Sequence, residues 1–266
     1  MRAPAAITDD LATSAPERIE RAVMTQRWEL LSFIHRPIDP GLVQRLLPLG
    51  LEVDTFDGAA WVGLVPFRLT VTRPGLPALP WVSRFAEVNV RTYVRGPDGR
   101  RGIWFLSLDA ARLGGVFVAR RWYRIPYVWA AARLTDTRRV VRYESRRRWP
   151  GSFGAALRLA VAPSEPIAPA ELTELERFLT CRWRLYSPAP LALPATRIGF
   201  FATQVEHPPW PLRRAIVLEL RDELLAVAGL PGFDREAFAH FSPGVRVRFG
   251  PRRAVGPPVA RHDRGE

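Results

Sequence analysis

The stretch Phe85-Ala86-Glu87-Val88-Asn89-Val90-Arg91-Thr92-Tyr93-Val94 (FAEVNVRTYV) decides how the chain is read. Alternate residues of a strand point to opposite faces of a sheet. One face carries Ala86, Val88, Val90, Thr92 and Val94, which suits a core. The other carries Glu87, Asn89 and Arg91, with Phe85 and Tyr93 at its ends. That second face either meets solvent or lines a pocket.

The sequence beyond it supplies a partner. Gly96-Pro97-Asp98-Gly99-Arg100 reads as a five-residue hairpin loop, and Gly102–Leu108 returns as a strand. Pairing Arg95 with Arg101 places Tyr93 opposite Ile103, Arg91 opposite Phe105, Asn89 opposite Ser107 and Glu87 opposite Asp109. Directly opposite residues share a face. Glu87, Asn89, Arg91, Ser107 and Asp109 then form one polar cluster, which a one-residue slip would break. The plain alternative is a solvated face with one Glu–Arg pair and Asp109 as a helix cap. Mixed acid, amide, hydroxyl and guanidinium groups between aromatic-rich segments match a small-molecule site. A buried acid pair there would have a raised pKa and could move protons. Glu87 and Asp109 are the candidate catalytic residues; Arg91, Asn89 and Ser107 are candidate ligand-binding residues.

Working outward, residues 1–24 are polar and weakly patterned, which predicts a flexible arm with a short helix around Glu17–Val23. Gln26–His35 reads as a strand. Asp39-Pro40 starts a short helix, with Asp as N-cap and Pro at the first position. Leu51–Phe56 alternates, Asp57-Gly58 turns, and Ala60–Val71 returns as a strand. The prolines at 74, 77 and 80 predict a loop. A helix is expected from Asp109 to about Tyr123, with Gly114-Gly115 inside it. Further strands are expected at Tyr127–Leu134, Arg139–Arg147, Phe153–Val161, Arg197–Glu206, Arg213–Leu220 and Val245–Phe249. Helices are expected at Ala170–Cys181, Arg221–Ala228 and Asp234–His240. Ser242-Pro243-Gly244 reads as a turn, and 251–266 as a loose basic tail. The fold class is α+β, with residues 25–250 as a single domain around a large curved antiparallel or mixed sheet.

Composition narrows the function. Hydrophobic content is 47%, with nine Trp and fourteen Phe in 266 residues, enough for a substantial core. The single cysteine, Cys181, allows no intrachain disulfide. No apolar run approaches bilayer length, and the N-terminal residues lack a signal-peptide core, so a cytoplasmic protein with no membrane partner is expected. The net charge is +13, yet all 39 basic residues are arginine and none is lysine. This pattern fits a genome-wide codon preference better than selection for phosphate binding, and no nucleic-acid motif accompanies it. Ser145–Trp149 reads as a solvated strand end. Without lysine, no side-chain amine can form a Schiff base.

The runs LEVDTFDGAAWVGLVPFRL, FAEVNVRTYV, GIWFLSLDAAR and IPYVWAAARL, followed by FLTCRWRLYS, VEHPPWPLRRA and HFSPGVRVRF, resemble the YqjF-like family of uncharacterised bacterial proteins. They occur in order across most of residues 25–250. That family is similar in fold to acetoacetate decarboxylase, which implies a cone- or barrel-like sheet around a cavity, with helices outside. Those enzymes use a lysine near a Gly-Phe-Pro-Lys stretch after a helix. The nearest match here is Arg124-Ile125-Pro126-Tyr127, so Tyr127 stands at the lysine-like position. Tyrosine cannot form the imine. Glu87 is the loose counterpart of the family's acids.

Other constellations are weaker. His35, His207, His240 and His262 show no metal-binding spacing, and no metal or cofactor is expected. Glu206-His207-Pro208-Pro209-Trp210-Pro211 is either a rigid corner burying Trp210 or a cavity mouth offering Glu206 or His207. Cys181 reads as structural. The resulting expectation is a protein that binds a small organic ligand, a carboxylate held by Arg91, with acid–base but not imine chemistry. The alternatives are a non-catalytic binding or interaction module and, third, a nucleic-acid-associated protein. Oligomeric state is left open. Borohydride should trap no keto acid on any side chain. A stoichiometric adduct away from the N-terminal amine, seen by peptide mass spectrometry, would overturn this.

Overall fold

All thirteen described strands join one sheet in the computed structural model, which describes residues 11–72, 84–112, 126–189, 199–233 and 237–256. In chain order the elements are β1 (Met24–Ile38), helix α1 (Pro40–Gln44), β2 (Glu52–Val53), β3 (Thr55–Phe56), β4 (Ala59–Thr72), β5 (Arg84–Arg95) and β6 (Arg101–Ala110). Then come β7 (Tyr127–Asp136), β8 (Val141–Trp149), β9 (Ala156–Pro166), a 3-10 turn (Pro169–Glu171), helix α2 (Glu174–Thr180) and β10 (Arg184–Pro188). The remainder is β11 (Phe200–Glu206), β12 (Arg213–Asp222), helix α3 (Leu224–Val227) and β13 (Phe238–Val255).

Local chemistry sets several boundaries. The Leu42 amide donates to the Asp39 carboxylate at 3.0 Å, and Pro40 occupies the first helical position of α1. Thr173 and Glu176 cap α2 reciprocally: the Thr173 amide donates to Glu176 at 2.8 Å and the Glu176 amide to the Thr173 hydroxyl at 3.2 Å. Asp57 and Gly58 both have positive φ, 49° and 76°, and turn β3 into β4. Gly244 has φ 137° and stands so close to β1 that an added Cβ would lie 2.1 Å from the Trp28 carbonyl oxygen. Only glycine fits there.

The pairing path closes on itself twice. From β6 it runs through β7, β8, β9, β12, β13, β1, β4 and β5 and returns to β6. A second circuit leaves β6 through β10 and β11 to β13, and comes back along the same β1–β4–β5 wall. β6 makes this possible by forking. Ile103 pairs with Leu185 of β10, whereas Leu108, Asp109 and Ala110 pair with Tyr127, Val128 and Trp129 of β7.

The shared wall therefore buries both faces. On one, Ile34, Val62, Leu64, Val88 and Val90 pack with Val141 and Tyr143 of β8 and Leu157, Leu159 and Val161 of β9. On the other, Phe33, Val65 and Phe67 pack with Trp210, Leu212 and Val247, and Tyr93 packs with Phe178 and Leu179 at the end of α2. The expected valine face of β5 is a core face. The expected polar face is no wetter: Glu87, Asn89, Arg91 and Tyr93 are all buried.

The hairpin register is as expected up to Arg91, then departs. Arg95 pairs with Arg101, Tyr93 with Ile103 and Arg91 with Phe105, but Val90 pairs with Ser107. Leu106 is the extra residue of a β-bulge. Beyond it Glu87 faces Ala110, Asn89 faces Leu108 and Val88 faces Asp109. Ser107 and Asp109 thus lie on the valine face, opposite to Glu87. Asp109 caps no helix, because it is inside β6; the expected helix beyond it falls mainly at residues 113–125, outside the described residues, as does the proline loop.

Other expectations are corrected. Glu17–Val23 forms no helix; the segment is tied down by side chains, with the Ile19 amide on Glu206 at 2.8 Å and Gln204 on the Glu17 carbonyl at 2.7 Å. Ile19 is buried. Leu51–Phe56 divides, β2 pairing with β5 and β3 with β4. Phe238–His240 opens β13 in place of ending a helix, and residues 234–236 lie outside the described residues. Ser242-Pro243-Gly244 is inside β13, which runs on to Val255, five residues into the expected tail.

Ser145–Trp149 is only partly solvated, for Arg147 turns inward. Its Nε donates to both Asp109 oxygens at 3.0 Å, its Nη1 to Ser152 at 3.1 Å and its Nη2 to Ser107 at 2.6 Å. Removing one partner of such a buried pair strands the other charge. Arg147→Ala should lose about 3–5 kcal/mol of unfolding free energy in urea. Arg147→Met combined with Asp109→Leu should recover most of it, and a double variant no better than the single would contradict this role.

Candidate functional site

Two lateral rows of side chains cross the second face of the wall where β6 gives way to β7. The first runs Phe67, Glu87, Ala110, Trp129 and Trp149 over β4, β5, β6, β7 and β8. The second runs Val65, Asn89, Leu108 and Tyr127 over β4 to β7. Glu87 is thus set among hydrocarbon and aromatic neighbours. The Tyr127 hydroxyl reaches diagonally from the second row and donates to Glu87 Oε2 at 3.1 Å.

Burial dominates the acid's chemistry. It pushes the Glu87 carboxyl up to about 8; the Tyr127 hydrogen bond pulls the other way, and the Asp109 charge through the sheet adds to the rise. Glu87 therefore holds its proton at neutral pH. Burial, and then the adjacent Glu87, push the Tyr127 phenol well above its ordinary range. Asn89 Oδ1 is buried without a hydrogen-bond partner among the described residues. An unpaired buried amide oxygen is costly unless something outside the fold supplies a donor.

Arg91 continues the face toward α2. Its Nη2 donates to the Leu179 carbonyl at 3.1 Å and to the Tyr93 hydroxyl at 3.3 Å, while its Nε is buried without a partner among the described residues. The guanidinium stands over the Phe33 and Tyr93 rings, 5.5 and 5.6 Å from their centroids. Tyr93 gives its proton to the Leu179 carbonyl at 2.7 Å, so His35 Nε2, 2.7 Å away, donates to Tyr93. Gly63 makes room for that imidazole: an added Cβ would lie 2.9 Å from the His35 ring. Burial first, then Arg91 and His240, hold His35 well below its usual pKa.

The remaining expected site residues lie elsewhere. Asp109 and Ser107 are engaged by Arg147 on the opposite face. Burial raises the Asp109 pKa, and Arg147 opposes the rise. Glu206 is occupied by the Ile19 amide and by Arg248 at 3.1 Å. His207 lies between Trp183 and Trp210, each ring centroid 4.5 Å away, and donates through Nδ1 to the Pro208 carbonyl at 2.7 Å. Burial lowers its pKa to about 4. Trp210 is buried, as the rigid-corner reading expects. The sequence reading places Tyr93 at the end of the polar face without giving it a role, and it gives none to His35, Trp129 and Trp149, whose local pattern offers no signal beyond aromatic character. Among the described residues no group of three or more His, Cys, Asp or Glu side chains is placed to hold a metal ion, and no helix is long and apolar enough to cross a membrane.

Residues 25–246 match the family model DUF2071, described as an uncharacterized conserved protein. The chain belongs to the DUF2071 family. It is similar to the uncharacterized protein YqjF of Bacillus subtilis, with 32% identity over 87% of this chain and 92% of that one. In structure, this DUF2071 chain is similar to an acetoacetate decarboxylase-like enzyme from Sphingomonas wittichii, with a TM-score of 0.61 and 15% identity over 88% and 93% of the two chains. It is also similar to acetoacetate decarboxylase from Legionella pneumophila, with a TM-score of 0.60 and 16% identity over 96% and 98%. The enduracididine biosynthesis enzyme MppR, complexed with pyruvate, gives a TM-score of 0.60 and 14% identity over 90% and 93%. At these identities the likeness shows the fold, and the strand-rich expectation holds.

The raised pKa of Glu87 makes stability depend on pH. A folded-state pKa above the unfolded one costs nothing below about 4.5 and progressively destabilises the fold as pH rises through about 8. The shift sets an upper limit of roughly 5 kcal/mol. Urea unfolding at a series of pH values should show wild-type stability falling across that window and Glu87→Gln flattening the fall. Parallel curves for the two proteins would remove the assignment.

Proposed function

We propose that this DUF2071 protein binds a small organic acid on the Glu87–Asn89–Arg91 face and moves a proton on it through Glu87, without an imine. The observation that carries this reading is the buried polar run itself: a carboxyl, an amide oxygen and a guanidinium Nε, the latter two without partners among the described residues, in an apolar wall. Such a set matches the few convergent polar groups of small-molecule sites. Arg91 Nε supplies a charge-assisted donor for a carboxylate. The ionised form of Glu87, whose share grows as pH rises toward about 8, takes a proton from the carbon next to the ketone, and the protonated form so made gives one back to the enolate. Tyr127, donating to the same carboxyl, stabilises the carboxylate left behind. The pyruvate complex of a structural neighbour supports an acid of this size. The absence of lysine removes the imine as electron sink.

The test pairs binding with exchange. Pyruvate or acetoacetate should raise the melting temperature even at high salt, and in heavy water the protein should speed exchange of the protons next to the ketone. Glu87→Gln should keep binding and lose exchange. Arg91→Gln should weaken the acid by about 2–5 kcal/mol, as for other desolvated charge pairs. Absence of any melting shift, or exchange that survives Glu87→Gln, would defeat the reading.

A further inference from the structure

Arg91 is held by more than its own strand. His35, Gly63 and Arg91 are cross-strand neighbours on β1, β4 and β5. Gly63 lets the outer two meet: an added Cβ would lie 2.9 Å from the His35 ring and 3.4 Å from Arg91 Cγ. Both converge on the Tyr93 hydroxyl, which stands 2.7 Å from His35 Nε2 and 3.3 Å from Arg91 Nη2. A phenol hydroxyl has one proton to give and two lone pairs to receive with. Here the proton goes to the Leu179 carbonyl at 2.7 Å, and the lone pairs accept from His35 and Arg91. The same carbonyl accepts from Arg91 Nη2 at 3.1 Å. With all three of its sites used, the hydroxyl has one orientation, and Nη2 is fixed between two acceptors.

A buried hydrogen-bond chain is ordinarily a device of folding. Folding alone does not account for two features of this one. His35 Nδ1 and Arg91 Nε are both buried without partners among the described residues. An unanswered buried nitrogen destabilises, and an apolar side chain at position 35 would avoid it. We propose that His35 is a positioning residue for Arg91. Its N–H sets the Tyr93 hydroxyl, the hydroxyl and the Leu179 carbonyl hold Nη2, and the guanidinium is thereby fixed with Nε left over for a carboxylate. A guanidinium fixed in advance loses less freedom when the carboxylate arrives. His35 touches no reacting atom; it acts through Tyr93. This role rests on the small-acid reading of Arg91 and goes beyond it in naming what holds the cation ready.

Pyruvate and its neutral amide, pyruvamide, differ by the charge that Arg91 would hold, so the ratio of their affinities reads that contact. The full-length protein is titrated with each by calorimetry. The wild type should prefer pyruvate. His35→Leu and Tyr93→Phe should each cut that preference about five- to tenfold, the scale of one hydrogen bond. In an Arg91→Gln background His35→Leu should cut it no further, because a residue that acts through another is silent once the other is gone. A merely structural His35 would lower both affinities together, in either background. Leu218→Ala, at an exposed position on β12, is the control and should change neither affinity. A preference that survives His35→Leu, or a further loss in the Arg91→Gln background, would overturn the positioning role and leave the small-acid reading standing. Equal wild-type affinity for the two compounds, or binding of neither, would overturn both. Circular dichroism of each variant checks that it is folded; if His35→Leu does not fold, His35→Phe, which keeps a flat ring beside Phe33, decides the outcome.

Discussion

β5 has no wet side, and the rest of the structure follows from that. A strand buried on both faces normally reads as a continuous apolar run. This one places a carboxyl, an amide and a guanidinium on a face that is closed by aromatic side chains and the end of a helix. Each polar group must then be answered. Glu87 answers by keeping its proton and accepting from Tyr127. Arg91 is answered in part by the last carbonyls of α2, since Leu179 accepts from both Arg91 and Tyr93. The helix end, with carbonyls lacking intrahelical partners, thus meets the cation that the strand cannot satisfy by itself.

The bulge at Leu106 separates two chemistries that a regular hairpin would have merged. Without it, Asp109 and Ser107 would share a face with Glu87, and two buried acids would compete. With it, Asp109 turns to Arg147 in one core and Glu87 stays with Tyr127 at the other. The arrangement keeps one acid in an ion pair and the other without a charged partner among the described residues. That difference in surroundings sets the two neighbouring carboxyls apart.

Much of the hairpin was legible because glycines and proline mark its loop and alternation marks its faces. The valine face and the Asp39 cap carry local signals; the Thr173–Glu176 box does too, although the sequence reading starts that helix at Ala170. The bulge does not: Leu106 is an ordinary strand residue, and only the tertiary demand on Asp109 reveals which position is extra. The inward turn of Arg147 was hidden for a similar reason. It sits among three consecutive arginines, and a pattern of charge cannot say which of them has a buried partner. The polar face of β5 was recognised from residue type alone, but its burial depends on β10, β11 and α2, far away in sequence. His240 was expected to end a helix over Asp234–His240; it lies in β13, which needs no strict alternation where it is buried.

The order in which the chain emerges gives the shared wall a further consequence. β1 lies between β4 and β13, and β13 is the last of the described strands. Neither circuit can close until β13 has been made. During synthesis β1 and β4 can pair, yet the long edge of β1 must wait for a partner more than two hundred residues away. Such an edge invites pairing with other chains. Sequence-distant closure of this kind also slows folding. The nascent protein therefore depends on whatever shields that edge until β13 arrives.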